Sequence, residues 1–169
     1  SVMSKVFVID IARCTGCDNC QLACKDEHVG NDWAPIAMHQ PEVGQFWMKL
    51  NQTVCGTTPK VKVHFTPTLC NHCKNAPCME VCPTGAAWRN DDGFVIFDTE
   101  KCNGCKECIK ACPYDVIYFS EELNLAQKCT GCAHLLDNGY EVPRCVEVCP
   151  TDALLFGEEE EMADLIRGA

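Results

Sequence analysis

The chain has 169 residues and a formal charge of −10, from 24 acidic against 14 basic side chains. With no cluster of Lys and Arg to meet phosphates, that balance excludes nucleic acid as a partner, and no stretch approaches the ~18 apolar residues of a membrane span. Seventeen cysteines inflate an apolar fraction of 47%, so ordinary apolar burial is a thin source of stability and cysteine chemistry must supply the rest.

At the N-terminal end no run combines basic residues, an apolar stretch and a small-residue cleavage site, and no twin-arginine pair occurs, so no export signal of the chain's own is expected. Val6 to Ile9 reads as a strand leading into the first cysteine group, Cys14, Cys17, Cys20 and Cys24, spaced C-x2-C-x2-C-x3-C. Residues 29–65 form an insertion. In it Phe46 to Val54 and Lys60 to Phe65 read as two strands of a hairpin around Gly56-Thr57-Thr58-Pro59. Trp33, Trp47 and several methionines there either cover what lies beneath or face a partner. The second group, Cys70, Cys73, Cys78 and Cys82, is spaced C-x2-C-x4-C-x3-C-P. An Asp91-Asp92-Gly93 turn and a strand from Phe94 to Phe97 lead to the third, Cys102, Cys105, Cys108 and Cys112, again C-x2-C-x2-C-x3-C-P. The fourth is Cys129, Cys132, Cys145 and Cys149, spaced C-x2-C-x12-C-x3-C-P. Leu154 to Phe156 then supplies a closing strand, and an acidic tail over 158–169 suits a short helix with Glu158 to Glu161 at its favourable N-terminal end.

A [4Fe-4S] cubane needs three thiolates wrapped round one face and a fourth from elsewhere, which C-x2-C-x2-C followed by a distant cysteine near proline supplies in bacterial ferredoxins. Gly16, Gly104 and Gly131 directly precede the second cysteine of their groups, where a residue without Cβ lets the backbone wrap close; His72 stands there in group two. Pro83, Pro113 and Pro150 would end the short helix that carries each last cysteine. Four cysteines within eleven residues are too crowded for zinc knuckles. Group four alone has a zinc-like spacing, against which Cys149-Pro150-Thr151-Asp152-Ala153 echoes Cys82-Pro83-Thr84-Gly85-Ala86. Disulfides are disfavoured without an oxidising compartment.

In two-cluster ferredoxins the fourth cysteine of each group ligates the other group's cluster. Applied here, cluster 1 takes Cys14, Cys17, Cys20 and Cys149; cluster 2 takes Cys129, Cys132, Cys145 and Cys24; cluster 3 takes Cys70, Cys73, Cys78 and Cys112; and cluster 4 takes Cys102, Cys105, Cys108 and Cys82. The expected fold is α+β, with two pseudo-symmetric 2[4Fe-4S] ferredoxin-like modules and a β-hairpin insertion. Residues 66–120 form the inner module, and residues 1–28 plus 121–157 a discontinuous outer one. Lys25, Lys74, Lys101, Lys106, Lys110, Lys128 and Arg144 adjoin ligands and would offset part of the clusters' negative charge. His72 and His134 are expected to pack or lie at the surface rather than bond to sulfur. Trp88 and Tyr114 are expected to pack, and Cys55, in no group, to be a small buried residue.

The order of the four groups, the long gap inside the fourth, and Cys70-Asn71-His72-Cys73-Lys74-Asn75-Ala76-Pro77-Cys78 resemble the iron-sulfur electron-transfer subunit of dimethyl sulfoxide reductase type molybdopterin oxidoreductases. Asn31-Asp32-Trp33, Phe46-Trp47-Met48 and Ala126-Gln127-Lys128-Cys129 look most like its pyrogallol-phloroglucinol transhydroxylase and catechol dehydroxylase branch, with arsenate reductases close behind. The resemblance implies the same crossed ligation and a double ferredoxin fold, non-catalytic by itself. It also implies docking as a heterodimer on a large subunit that binds molybdopterin guanine dinucleotide, with a membrane anchor or small redox carrier as further partner. Assembly in the cytoplasm is implied, with export only alongside a signal-bearing partner. Lys25 departs from the pattern, since proline follows the last cysteine elsewhere. Relatives often continue past the last strand with a segment that wraps the large subunit, which is expected to be missing here. The competing reading is a separable polyferredoxin-type carrier for a hydrogenase or formate dehydrogenase.

Overall fold

The computed structural model describes residues 4–168. Along the chain run β1 (Lys5–Ile9), α1 (Asn19–His28), β2 (Lys49–Thr57), β3 (Lys60–Thr68), α2 (Pro77–Glu80), β4 (Ala87–Arg89), β5 (Val95–Phe97), α3 (Glu107–Ala111), β6 (Tyr118–Ser120), β7 (Leu125–Gln127), α4 (Ala133–Leu136), α5 (Arg144–Glu147), β8 (Leu154–Glu158) and α6 (Glu159–Arg167). The mixture is α+β, as expected.

The strands pair as β1 with β8, β2 with β3, β4 with β5 and β6 with β7, each pair antiparallel. Only the first joins distant parts of the chain. Val6 to Ile9 are all β-branched or aromatic, a composition suited to a half-buried strand, and Phe7 lies opposite Phe156 and Ile9 opposite Leu154. The Phe7 and Phe156 ring centroids are 5.0 Å apart, and Phe94 from the chain's middle packs on both; such an aromatic pair contributes ~1 kcal/mol beyond its burial. Closing the two ends in this way carries the first cysteine group to the fourth, and α1 packs on α5 just as α2 packs on α3.

Helices α2, α3, α4 and α5 have four or five residues, far below the ~12 at which a helix becomes even marginal alone in water, so tertiary contacts hold them. Pro77 opens α2 and Pro143 precedes α5, positions where proline's missing amide has no helical partner to lose. Cys82, Cys112 and Cys149 fall one or two residues beyond their helices rather than within them, because the chain has already left the helix before the proline. Lys25 has the opposite effect. Without proline there, α1 continues through Cys24 to His28.

The β2–β3 hairpin runs in register from Lys49 opposite Thr68 to Thr57 opposite Lys60. Phe46–Met48 precede the sheet, and β3 continues past Phe65. Trp47 and Met48 are 2% and 1% exposed and share a core with Cys20, Cys24, Cys70, Cys129 and Cys145, so the aromatic of this insertion covers the cysteines. Beyond Leu50 the ribbon is mostly exposed, and Cys55 lies there in solvent, contrary to the expectation of burial. Trp88 and Tyr114 also depart from expectation, at 38% and 51% exposed. In β4 it is Ala87 that faces inward, and strand alternation turns Trp88 out; Tyr114 sits in the turn after Pro113. The tail folds as α6, with Glu159, Glu160 and Glu161 in its first turn and Met162 buried.

Candidate iron-sulfur cluster sites

Three cavities of similar size are lined by cysteines from two groups each. One is lined by Cys14, Cys17, Cys20 and Cys149. Another is lined by Cys102, Cys105, Cys108 and Cys82, and a third by Cys70, Cys73, Cys78 and Cys112. The remaining four, Cys24, Cys129, Cys132 and Cys145, are all buried. Burial pushes them up, and neighbouring thiol charges add to it: Cys24 and Cys145 lie well above the usual thiol range, Cys129, beside Cys70, is pushed up to about 11 and Cys132 to about 12. These shifts favour the protonated thiol, so a metal bound here would displace the protons and supply the compensating positive charge. Among the described residues no three His, Cys, Asp or Glu side chains converge as a single metal ion would require. In the three cavities the cysteines instead stand around a void, which fits a group several atoms wide better than a zinc held at ~2.3 Å. A further cavity touches one cysteine, Cys70, and its Lys5 and Lys74 are engaged by Asp92 and Glu159.

Thiols of different groups pack together, Cys20, Cys70, Cys129 and Cys145 in one buried cluster and Cys78, Cys102 and Cys108 in another. Burial raises Cys145, and so does the charge of Cys20 from the first cavity; burial raises Cys129, and so does that of Cys70 from the third. Cys108 is pushed up to about 12 by burial and by charges that include Cys78. Of the sixteen grouped cysteines, the exposed ones, Cys17 and Cys105, line the two end cavities.

The local turns explain the spacing. Gly16, Gly104 and Gly131 have φ of 73°, 73° and 66°, and His72 takes φ 44° in the same place. A Cβ at Gly16 would strike the Phe65 ring at 2.5 Å, and one at Gly131 the Phe94 ring at 2.8 Å. Glycine is thus required there by the neighbouring side chain as well as by the left-handed turn. His72 escapes because its ring has room to pack on Phe94, with Nδ1 accepting the Val95 amide at 3.1 Å. The echo between Cys82-Pro83-Thr84 and Cys149-Pro150-Thr151 is an amide cradle. Burial pushes the Cys82 thiol up, but the amides of Ala87, Thr84 and Ala86 and the Thr84 hydroxyl outweigh it and leave it below its ordinary value. Cys149 is lowered in the same way, burial being outweighed by the amides of Leu154, Thr151 and Ala153 with the Thr151 hydroxyl. Such converging N–H groups favour thiolate at these two positions.

Around the buried four-cysteine site lies a polar shell that the sequence does not announce. Glu27 accepts from His134 Nε2 at 2.9 Å and from Arg144 Nε at 3.0 Å. Burial alone would raise Glu27, but those two hydrogen bonds and the Arg144 charge leave it below its usual value. Trp33 stacks on His134 with centroids 3.7 Å apart, and His28 packs edge-on to both. His28 hydrogen-bonds the Cys24 carbonyl through Nδ1 at 2.8 Å and is pushed down to about 4 by burial. His134 is therefore a packed, hydrogen-bonded residue, as the sequence suggested. Glu27 and His28 gave no signal, since their partners lie over a hundred positions away or on the next helical turn.

A family model described as a 4Fe-4S dicluster domain matches residues 61–159, and one described as a 4Fe-4S binding domain matches residues 11–30. The chain is 44% identical over 138 residues to the pyrogallol hydroxytransferase small subunit of Pelobacter acidigallici, covering 82% of this chain and 50% of that one. It is 45% identical over 114 residues to the arsenate respiratory reductase iron-sulfur subunit of Shewanella sp. (strain ANA-3), covering 68% and 44%. It is 38% identical over 135 residues to the B subunit of the anaerobic dimethyl sulfoxide reductase of Haemophilus influenzae, covering 79% and 64%. The chain spans about half the length of the first two relatives. No helix among the described residues is long and apolar enough to cross a membrane. With cysteines of two groups gathered around each of three cavities and a dicluster model matched over more than half its length, the protein belongs to the 4Fe-4S family of iron-sulfur subunits found in dimethyl sulfoxide reductase type molybdopterin oxidoreductases.

Proposed function

We propose that the chain is an electron-relay subunit carrying four [4Fe-4S] clusters, passing electrons singly to or from a molybdopterin guanine dinucleotide site in a large catalytic subunit. It has no catalytic residues of its own. The ligand sets are the crossed ones, with Cys149, Cys24, Cys112 and Cys82 each completing a site begun by another group. The observation that carries this is the lining of the three cavities, each with three cysteines of one group and the last cysteine of another. Residues 66–120 then act as the inner ferredoxin-like module and residues 1–28 with 121–157 as the outer one, a division supported by the packing of α2 on α3 and of α1 on α5.

The succession of neighbouring thiols supports a linear order, from the Cys14 site through the buried Cys129 site and the Cys70 site to the Cys102 site. Electrons enter and leave at the exposed ends. A large subunit docks at one end, and a membrane anchor or small redox carrier serves the other.

Iron and acid-labile sulfide analysis of the anaerobically purified chain tests this, with about sixteen of each expected per chain. A content near eight, or zinc in any group, contradicts it. Co-purification with a molybdopterin-containing large subunit supports the partner; a stable, fully loaded monomer points to the separable carrier.

A further inference from the structure

Lys128 is 3% exposed. Its ammonium donates to the carbonyls of Val95 and Cys129, the latter at 3.0 Å, and lies 5.1 Å from the centre of the Phe97 ring. Among the described residues no carboxylate pairs with it; the one buried acid, Asp98, is taken by Lys101. A buried ammonium without a counter-anion is strongly disfavoured, and two carbonyl dipoles with one aromatic face answer only part of its charge. The missing negative charge must come from what surrounds it. Lys128 adjoins Cys129 in sequence, and Val95 and Phe97, the two residues its Nζ meets, pack in one buried cluster with Cys78. Val95, whose carbonyl holds Nζ, lines the cavity of Cys70, Cys73, Cys78 and Cys112.

The other lysines beside ligands are placed differently. Lys74, Lys101, Lys106 and Lys110 are 45–79% exposed and paired with Glu159, Asp98, Glu121 and Glu107, so water and a carboxylate cancel most of their field. Lys25 is half-buried, held by the Pro41 and Gln45 carbonyls.

We propose that Lys128 is a fixed cation at the joint between the two central sites, the Cys129 site and the Cys78 site, where it raises both reduction potentials relative to the end sites. This rests on the four-cluster relay proposed above. Reduction places one further negative charge at a site, and a buried ammonium nearby favours that state; no proton moves and no bond to Nζ changes. The consequence is a relay whose buried middle remains reducible, although desolvation alone would make those sites the hardest to reduce.

The test is a mediator-coupled redox titration followed by electron paramagnetic resonance, on the full chain in its complex. Lys128→Met, Lys128→Arg and the remote Lys62→Gln are compared with the native protein. Iron and sulfide are measured first, so that a shortfall in the native protein counts against the relay and not against Lys128. The expected result for Lys128→Met is a fall of about tenfold or more in the reduction equilibrium constant of two sites, about 59 mV for one electron. The other two sites, and all sites in Lys128→Arg and Lys62→Gln, remain at native values. Equal shifts at all four sites, or none at any with iron retained, overturn the proposal. Should Lys128→Met lose iron, Lys128→Arg decides: full iron and native potentials support the cation, whereas lost iron or shifted potentials overturn it.

Discussion

Thr84 and Thr151 show how a single hydroxyl bears on a site that the cysteine spacing only outlines. Thr84 Oγ1 lies 3.7 Å from Cys82 Sγ, and Thr151 Oγ1 lies 3.9 Å from Cys149 Sγ. Hydrogen bonds to thiolate sulfur stabilise the more negative, reduced state. Thr84→Val is therefore expected to lower the potential of the site completed by Cys82, and Thr151→Val that of the site completed by Cys149, each by a few-fold in equilibrium constant, with the two central sites unmoved in a redox titration. Both threonines are legible as the repeated Cys-Pro-Thr. Glu27 is not, because its value comes from His134 and Arg144 across the fold. Its folded-state pKa is depressed, so its contribution is present above its ordinary value and lost as pH falls through the folded one. Glu27→Gln should cost roughly 1–3 kcal/mol at pH 7 and flatten the native loss of thermal stability below pH ~4.5; a variant as acid-sensitive as the native chain contradicts that role.

At the scale of elements, α1 is the departure that matters. The absence of proline after Cys24 was visible in the sequence, but its consequence, a helix that continues one more turn, needed the structure. That turn delivers Glu27 and His28 to the buried site. Lys25→Pro would remove a helical amide and clash with the preceding turn, at ~3 kcal/mol. It is expected to lower the thermal midpoint and loosen the site of Cys24, Cys129, Cys132 and Cys145, seen as preferential iron loss there, while the Cys102 site keeps its signal. Strands β1, β5 and β8 were legible as short apolar runs and the β2–β3 hairpin as alternation around a turn, whereas β4, β6 and β7 were not. Exposure was not, and Cys55, Trp88 and Tyr114 all lie further out than composition suggests. An apolar or aromatic residue in a cysteine-rich chain need not enter the core, because thiols and the groups they hold occupy much of it.

The molecule as a whole is held by closures between distant segments: β1 on β8, α1 on α5, and cysteines of one group beside those of another. Helices of one turn cannot persist unaided, so loading the sites and folding the chain are expected to be one process. That explains the modest supply of conventional apolar core. The crossed ligand sets are tested by electron paramagnetic resonance of Cys24→Ser, compared with Cys129→Ser and Cys14→Ser. Cys24→Ser is expected to perturb the same signal as Cys129→Ser and to leave intact the signal altered by Cys14→Ser. A Cys24→Ser spectrum that matches Cys14→Ser would contradict the crossed sets.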